Sequence, residues 1–163
     1  MNYSTALVQL PLVCEAGVQK ITSPADAYRV CADIAGLAQE SFHVLCLNSK
    51  NGLMNRHLIT LGLADATPVH PREVFRAAIT DGASAIVLAH NHPSGDPTPS
   101  AEDLRVTRQL IEAGNVLGIK VMDHIIVGRA SASVAVPGEP QRSPFLSLRE
   151  SGLCTFAMKD GAP

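Results

Sequence analysis

The sequence predicts a single α/β domain built on a mixed β-sheet flanked by helices, on three observations. The chain has 163 residues, of which 46% are hydrophobic and 17% charged, the size and balance of one globular domain with a substantial core. Strand-like segments alternate with helical ones, as in layered α/β structures. The largely apolar run 83–89 is bounded by turn signals, which is typical of a central strand covered on both faces.

The first predicted element is a helix that begins at Ser23 and Pro24. Serine is a favoured N-cap residue and proline suits the first helical position, so the helix is expected to run to about Gln39. Residues 1–20 carry little signal and are expected to form an N-terminal arm or a first edge strand, with the domain proper over residues 21–153.

A β-hairpin is predicted next. Residues 41–47 are apolar enough for a buried strand, and a cluster of turn residues fills 48–52. Residues 53–63 are expected to return as the second strand of the hairpin.

Two helix–strand units are predicted beyond the hairpin. The first has a helix from Pro71 to about Asp81 and the strand 83–89, and the second has a helix over 101–117 and a strand over 119–127. The longer helix is favoured by apolar residues spaced for one buried face: Val106, Leu110, Ala113 and Leu117. Prolines in 129–145 predict an irregular insertion, and residues 154–163 are expected to form a C-terminal tail.

The composition argues against nucleic acid as the primary ligand. The formal net charge is -2, aromatic residues make up 4%, and there is no Trp. The sequence therefore shows neither a basic patch for phosphates nor a set of aromatic residues on which bases could stack. We find no basic-then-apolar leader and no apolar run near ~18 residues, so we expect a cytoplasmic protein that does not enter a membrane. No C-x-x-C pair occurs, and buried free thiols are expected at Cys14, Cys31, Cys46 and Cys154.

The strongest chemical signal lies in residues 90–103. His90 and His92 project to the same side if the chain stays extended. Asp103 lies three residues before the buried position Val106 and therefore on the same face of the predicted helix. Two imidazoles, one carboxylate and an open fourth position form the ligand set of a catalytic zinc site. The spacing therefore predicts a zinc-dependent hydrolase.

An alternative explains the same residues without a metal. His90 and His92 would then be loop residues at a strand end, and Asp103 a surface carboxylate favoured by the helix dipole. A buried carboxylate needs a compensating charge, which favours the metal, but spacing alone leaves the two interpretations about equal.

The segment resembles the signature of JAMM (MPN+) metalloproteases, a distant Glu followed by H-x-H-x7-S-x2-D. Every fixed position of that motif is filled, by His90, His92, Ser100 and Asp103. The match is closest to the RadC branch over roughly residues 38–128, in the blocks 42–51, 70–75, 88–103 and 123–126, with a further block at 147–153. The resemblance implies a JAB/MPN-like domain with the layering of cytidine deaminases.

The resemblance also implies a role for each site residue. His90, His92 and Asp103 would bind one zinc ion, whose water ligand would have a pKa lowered toward ~7. Glu40, just before the strand 41–47, matches the position of the general base in these enzymes. Glu73 competes for that role, but it lies early in a helix, where the dipole already explains a carboxylate.

Ser100 would stabilise the oxyanion of a tetrahedral intermediate in such an enzyme. Ser100 and Asp103 also form the S-x-x-D pattern of a helix capping box, and we expect an Asp103 that binds zinc to be unable to close that box. Of the other histidines, His43 and His57 are expected to be structural, while His70 and His124 match family blocks and are candidates for contacts behind the ligands or in a substrate groove.

The expected function is a zinc metallopeptidase or isopeptidase that acts on a protein or peptide. A non-catalytic MPN-like scaffold and a DNA-repair-associated factor are the alternatives. Scaffolds of this type tend to lose metal ligands, whereas this chain keeps all three. A repair factor would be expected to cluster Lys and Arg, which this chain does not. The sequence leaves the oligomeric state open, a homodimer included.

Overall fold

The structure, a computed structural model, describes residues 19–62, 69–129 and 143–156, and a five-stranded mixed sheet forms its framework. The strands are β1 (Ser41–Leu47), β2 (Leu53–Leu61), β3 (Ala85–Asn91), β4 (Lys120–Val127) and β5 (Phe145–Ser147). They lie in the order β2-β1-β3-β4-β5, and only β3 and β4 run parallel among the described strands. The predicted class, a mixed sheet flanked by helices, is confirmed.

Three described helices accompany the sheet: α1 (Pro24–Cys31), α2 (Pro71–Thr80) and α3 (Ala101–Leu117). The bounds of α2 and α3 agree with the prediction, and Gly118 ends α3 in the left-handed conformation at φ 69°. The predicted helix to Gln39 is too long, because the chain tightens into a 3-10 helix over Ala32–Gly36. Only Ile34 is buried in that 3-10 helix, so no apolar face stabilises a longer helix.

The helices cover both faces of the sheet. On one face, α2 and α3 pack on side chains of β1 and β3, including Val44, Cys46 and Leu88. On the other face, α1 and the 3-10 helix pack on the alternate residues of the same strands, such as Leu45 and Val87. Both β1 and β3 are buried along their whole length, which explains their unbroken apolar character.

Strand β3 extends two residues beyond its predicted end at Ala89. His90 and Asn91 are still hydrogen-bonded into the sheet, with His90 opposite Phe42 of β1 and Ile126 of β4. Because side chains alternate along a strand, His90 lies on the same face as Leu88, the face covered by α2 and α3. The strand therefore aims His90 at the start of α3.

The described part of the C-terminal region packs on the domain. β5 pairs with β4, and beyond residue 153 both Cys154 and Phe156 lie in the core beneath α3. Most of the predicted N-terminal arm and residues 130–142 of the predicted insertion lie outside the described residues.

Three cysteines can be compared with the prediction. Cys31, Cys46 and Cys154 are free and buried, as expected, and burial raises the pKa of the Cys31 thiol to about 11. Cys14 lies outside the described residues. In a search of the described helices, none combines the length and the apolar character that crossing a membrane requires.

Candidate metal centre

The two histidines of the motif meet at the end of β3. His90 is buried, with 1% of its side chain exposed, and His92 follows the strand with 16% exposed. Their Nε2 atoms lie 3.0 Å apart. The extended chain therefore turns both imidazoles toward one point, as the spacing predicted.

Asp103 reaches the same point from the first turn of α3. Its Oδ1 lies 3.2 Å from Nε2 of His90, and its Oδ2 lies 3.4 Å from Nε2 of His92. Burial works to raise the pKa of the Asp103 carboxyl, but hydrogen bonds from His90 and His92 lower it well below its usual range. In turn, the hydrogen bond to Asp103 raises the pKa of His92. The carboxylate is thus ionised and faces both histidines.

A chain of hydrogen bonds decides which nitrogen of His90 carries the proton. The Thr107 hydroxyl donates to the Asp103 carbonyl at 2.6 Å, so its oxygen accepts from Nδ1 of His124, also at 2.6 Å. His124 is fully buried, and burial lowers its pKa, so its other nitrogen is unprotonated and accepts from Nδ1 of His90 at 2.8 Å. When His90 is neutral, as a metal-binding imidazole is, its lone pair is therefore on Nε2.

The same result holds for His92 by a different route. Its Nδ1 donates to the carbonyl oxygen of Asp96 at 2.8 Å, since a carbonyl can only accept. In the neutral form of His92, the lone pair is therefore also on Nε2. Hydrogen bonds of this kind orient metal-binding imidazoles in proteins.

The resulting cluster fits zinc. A tetrahedral ion with nitrogen and oxygen ligands at roughly 2.0–2.1 Å holds those atoms roughly 3.3–3.4 Å apart. The two Nε2 atoms here are 3.0 Å apart, and each faces a different oxygen of Asp103, Oδ1 at 3.2 Å from His90 and Oδ2 at 3.4 Å from His92. Two lone pairs and a carboxylate directed at each other are stable only around a positive charge, either a proton or a metal ion. His90, His92 and Asp103 can thus hold a divalent metal.

Ser100 is the N-cap of α3 and closes a full capping box with Asp103. The amide and the hydroxyl of Ser100 both donate to Oδ2 of Asp103 at 2.7 Å, and the Asp103 amide donates back to the hydroxyl at 3.1 Å. The capping box is therefore closed in this geometry, and whether a metal-bound Asp103 still closes it stays a prediction. Oδ2 serves the box, while Oδ1 still faces His90.

Glu40 lies at the edge of this cluster. It precedes β1, and the antiparallel pairing of Phe42 with His90, continued by two residues beyond the observed pairs, would bring Glu40 opposite His92. Its side chain is exposed, and its charge contributes to the raised pKa of His92. Glu73, the competing carboxylate, instead lines a cleft between β2 and α2.

The remaining histidines divide as follows. His43 is buried within the sheet beside Ser41, and His57 pairs with Asp81. His70 is exposed and caps α2 by accepting from the Arg72 amide, so it contributes to the helix start. His124 contacts His90 from behind, which is one of the two roles expected for it.

Thr107 was missed in the sequence. It lies four residues after Asp103, so the two share a helix face, and that spacing was the available signal. A buried threonine is ordinarily a packing residue, and only the position of His124 on the neighbouring strand gives its hydroxyl a role.

Comparison with known proteins agrees with the motif. The family model described as the RadC-like JAB domain matches residues 21–139. A UPF0758 protein of Listeria welshimeri is 47% identical over 133 residues, covering 81% of this chain and 54% of the relative. A UPF0758 protein of Caldanaerobacter subterraneus is 52% identical over 109 residues, covering 66% of this chain and 47% of the relative.

A third relative, from Thermotoga maritima, is 42% identical over 111 residues, covering 68% of this chain and 50% of its own. The chain thus spans about half the length of the curated relatives that it matches. The names of these relatives state no activity. With its fold, its motif and a family match over most of its length, the chain belongs to the RadC-like JAB domain family.

Proposed function

We propose that this domain is a zinc-dependent hydrolase of the JAMM type that cleaves an amide or isopeptide bond in a protein or peptide. One observation carries the proposal: the Nε2 atoms of His90 and His92 and the Asp103 carboxylate converge at separations of 3.0 to 3.4 Å. Three protein ligands with one open position are typical of catalytic zinc sites, whereas structural sites are closed by a fourth ligand.

The protein groups around the cluster suit hydrolysis. A zinc ion held there would supply a water ligand that is acidic enough to lose its proton near neutral pH, and would polarise a carbonyl. Glu40 is exposed, lies close enough to His92 for its charge to raise the pKa of that histidine, and would take that proton and deliver it to the leaving amine. The partly exposed His92 and Asp103 leave the site open to a substrate.

Ser100 would donate a hydrogen bond to the developing oxyanion. Its hydroxyl hydrogen now points to Oδ2 of Asp103, so this role requires that bond to be exchanged for one to the substrate. The amide of Ser100 donates to the same oxygen and would keep the carboxylate in place during the exchange.

The first test is the zinc content of the purified protein. We expect His92→Ala and Asp103→Ala each to carry about one zinc ion per chain less than the wild type, because each removes one of three ligands. Glu102→Gln is the matched control, since Glu102 is an exposed neighbour of Asp103 paired with Arg105. If wild type and ligand variants, all folded, contain the same amount of zinc, the proposal fails.

The second test separates a hydrolase from a partner-binding scaffold. We expect the wild type to cleave members of a peptide and isopeptide library, and Glu40→Gln to keep its zinc while losing roughly 10²–10⁴-fold in rate, the usual contribution of a general base. A zinc-loaded wild type that cleaves nothing in the library, or a Glu40→Gln variant as active as the wild type, would favour the scaffold.

A further inference from the structure

A second cluster of metal-binding side chains lies on the sheet face covered by α2. Cys46 is on β1, His57 is on β2, and Asp81 is the C-cap of α2. His57 pairs with Val44 and is therefore diagonal to Cys46 on the same face, within reach of a common partner. Three elements distant in sequence thus converge on one point outside the His90 site.

The geometry of this cluster is close to that of a metal site. One ligand atom from each of the three side chains, the Cys46 sulfur included, lies within 4.8 Å of the other two. Nε2 of His57 is 2.6 Å from Oδ2 of Asp81, and the Cys46 thiol is hydrogen-bonded to the same carboxyl. A hydrogen bond from Asn55 also orients that carboxyl, as a supporting residue does for a metal-binding carboxylate.

A nearby cation would stabilise the carboxylate of Asp81 at its position in the fold. The C-terminus of a helix carries a partial negative charge, so a carboxylate there is electrostatically unfavourable. Asp81 is nevertheless ionised and has only 8% of its side chain exposed, because hydrogen bonds outweigh the effect of burial on its pKa. A cation beside Asp81, either a protonated His57 or a metal ion, balances that charge.

We propose that Cys46, His57 and Asp81 form a second zinc site, which ties the β1–β2 hairpin to the end of α2. Sulfur, imidazole and carboxylate are all established zinc ligands, and the thiolate selects zinc over the harder magnesium and calcium. The site is closed by the sheet at Cys46, which is fully buried, and open at His57, which has 29% of its side chain exposed. A water molecule would complete the tetrahedron from that open side.

The charges balance when zinc binds. The thiol of Cys46 loses its proton to solvent, and His57 keeps one ring proton, now on Nδ1, so that its Nε2 lone pair faces the metal. One thiolate and one carboxylate then neutralise the two positive charges of zinc. Burial and the neighbouring Asp81 raise the pKa of the free thiol to about 12, so zinc binding must displace the thiol proton.

Binding requires a small movement. Tetrahedral zinc with one sulfur ligand holds its ligand atoms roughly 3.3–3.6 Å apart. The 2.6 Å contact between His57 and Asp81 must therefore lengthen. The His57 side chain can make this movement, since it lies partly exposed beside a cleft that is lined by Glu73 and Arg76.

Cobalt provides a direct probe, because a cysteine thiolate bound to Co²⁺ absorbs in the near ultraviolet and the His90 site contains no sulfur. We would strip the full chain of metal, keep it reduced with a phosphine, and titrate it with Co²⁺. We expect the sulfur-to-cobalt band in the wild type and in Asp103→Ala, which lacks only the first site. We expect the band to be lost in Cys46→Ser and to need at least about tenfold more cobalt in His57→Ala.

Cys154→Ser is the matched control, since Cys154 is another buried free cysteine and its variant should keep the band. Because Cys46→Ser could fail to fold, His57→Ala provides an independent test of the proposed site. His57 is partly exposed, so its replacement should leave the fold intact. The proposal is overturned if the wild type shows no sulfur-to-cobalt band, or if the band persists with unchanged affinity in His57→Ala. Retention of the band in a folded Cys46→Ser variant would also overturn it.

Discussion

At the scale of single residues, proton positions matter as much as ligand identities. The spacing of His90, His92 and Asp103 indicates which side chains meet, but a histidine binds a metal only through an unprotonated nitrogen. The Thr107–His124–His90 chain assigns that nitrogen on His90, and the Asp96 carbonyl assigns it on His92. The cluster is therefore arranged for a metal by groups that cannot bind the metal themselves.

Thr107→Val is predicted to weaken zinc binding at the His90 site by roughly 10–100-fold, the usual cost of losing a supporting hydrogen bond. Valine keeps the shape of threonine but removes the hydroxyl that accepts from His124 and donates to the Asp103 carbonyl. The variant is measured by competition with a zinc chelator, with circular dichroism as the check on folding.

Thr107→Ser is the control for that change, because serine keeps the hydroxyl and loses only a methyl group. Its zinc affinity should remain within a few-fold of the wild type. If Thr107→Val and Thr107→Ser weaken zinc binding equally, the zinc affinity depends on packing at this position and not on the hydrogen bond to His124.

At the scale of elements, the site depends on how closely α3 approaches the sheet. Gly114 makes this approach possible: a Cβ added there would lie 2.5 Å from the Ile119 carbonyl oxygen and 3.2 Å from the Phe75 ring. Because Asp103 and Thr107 lie on the same helix, the depth at which α3 packs also sets their distance from β3 and β4.

Gly114→Ala is predicted to destabilise the domain by about 1–3 kcal/mol, the cost of overpacking a tight interface. Alanine stabilises a helix by about 1 kcal/mol relative to glycine. The predicted destabilisation therefore requires the steric clash to cost more than this gain in helix propensity. The measurement is the free energy of unfolding in urea.

Gly36→Ala is the matched comparison, since a Cβ there meets nothing within 4 Å. It should change the free energy of unfolding by less than about 0.5 kcal/mol. A Gly114→Ala variant as stable as the Gly36→Ala variant would show that α3 can shift without cost.

At the scale of the whole molecule, buried neutral histidines link stability to pH. Burial and the charge of Arg56 lower the pKa of His43 from 6.5 to about 4. The unfolded chain therefore takes up a proton at this residue at a higher pH than the folded chain. The contribution of His43 to stability is complete above pH 6.5 and declines as the pH falls from 6.5 to about 4.

His43→Gln is predicted to reduce this pH dependence. Between about pH 7 and about pH 5, the wild type should lose up to about 2 kcal/mol more unfolding free energy than the variant, because each pKa unit is worth about 1.4 kcal/mol. The comparison isolates His43 from His92, whose raised pKa acts in the opposite direction. Equal losses in both proteins would mean that His43 does not titrate as inferred.

The family and the order of elements could be predicted from local sequence. Neighbouring residues determine the start of α1 after Ser23, the turn of the β1–β2 hairpin and the buried face of α3. Capping residues and hydrophobic periodicity therefore identify these features in the sequence. The end of the first helix could not be predicted. It depends on which side of residues 32–40 is buried, and that is a property of the packed structure.

The candidate site shows the same division. His90, His92 and Asp103 could be named from the sequence because strand alternation and helix spacing fix their relative positions over a short stretch, whereas Ser100 was identified by resemblance. Glu40 was named by resemblance, and its place opposite His92 would follow from continuing the register between β1 and β3, which joins residues some fifty positions apart.

What the sequence determined by itself was therefore local: the elements, their order and a motif whose residues could hold a metal ion. The tertiary structure alone decided the contacts between distant segments, which are the contact of His124 with His90 and the meeting of Cys46, His57 and Asp81. The physical reason is that strand pairing and helix docking are long-range. A residue's pattern indicates which face it lies on, but only the folded sheet determines which residue from another element it meets there.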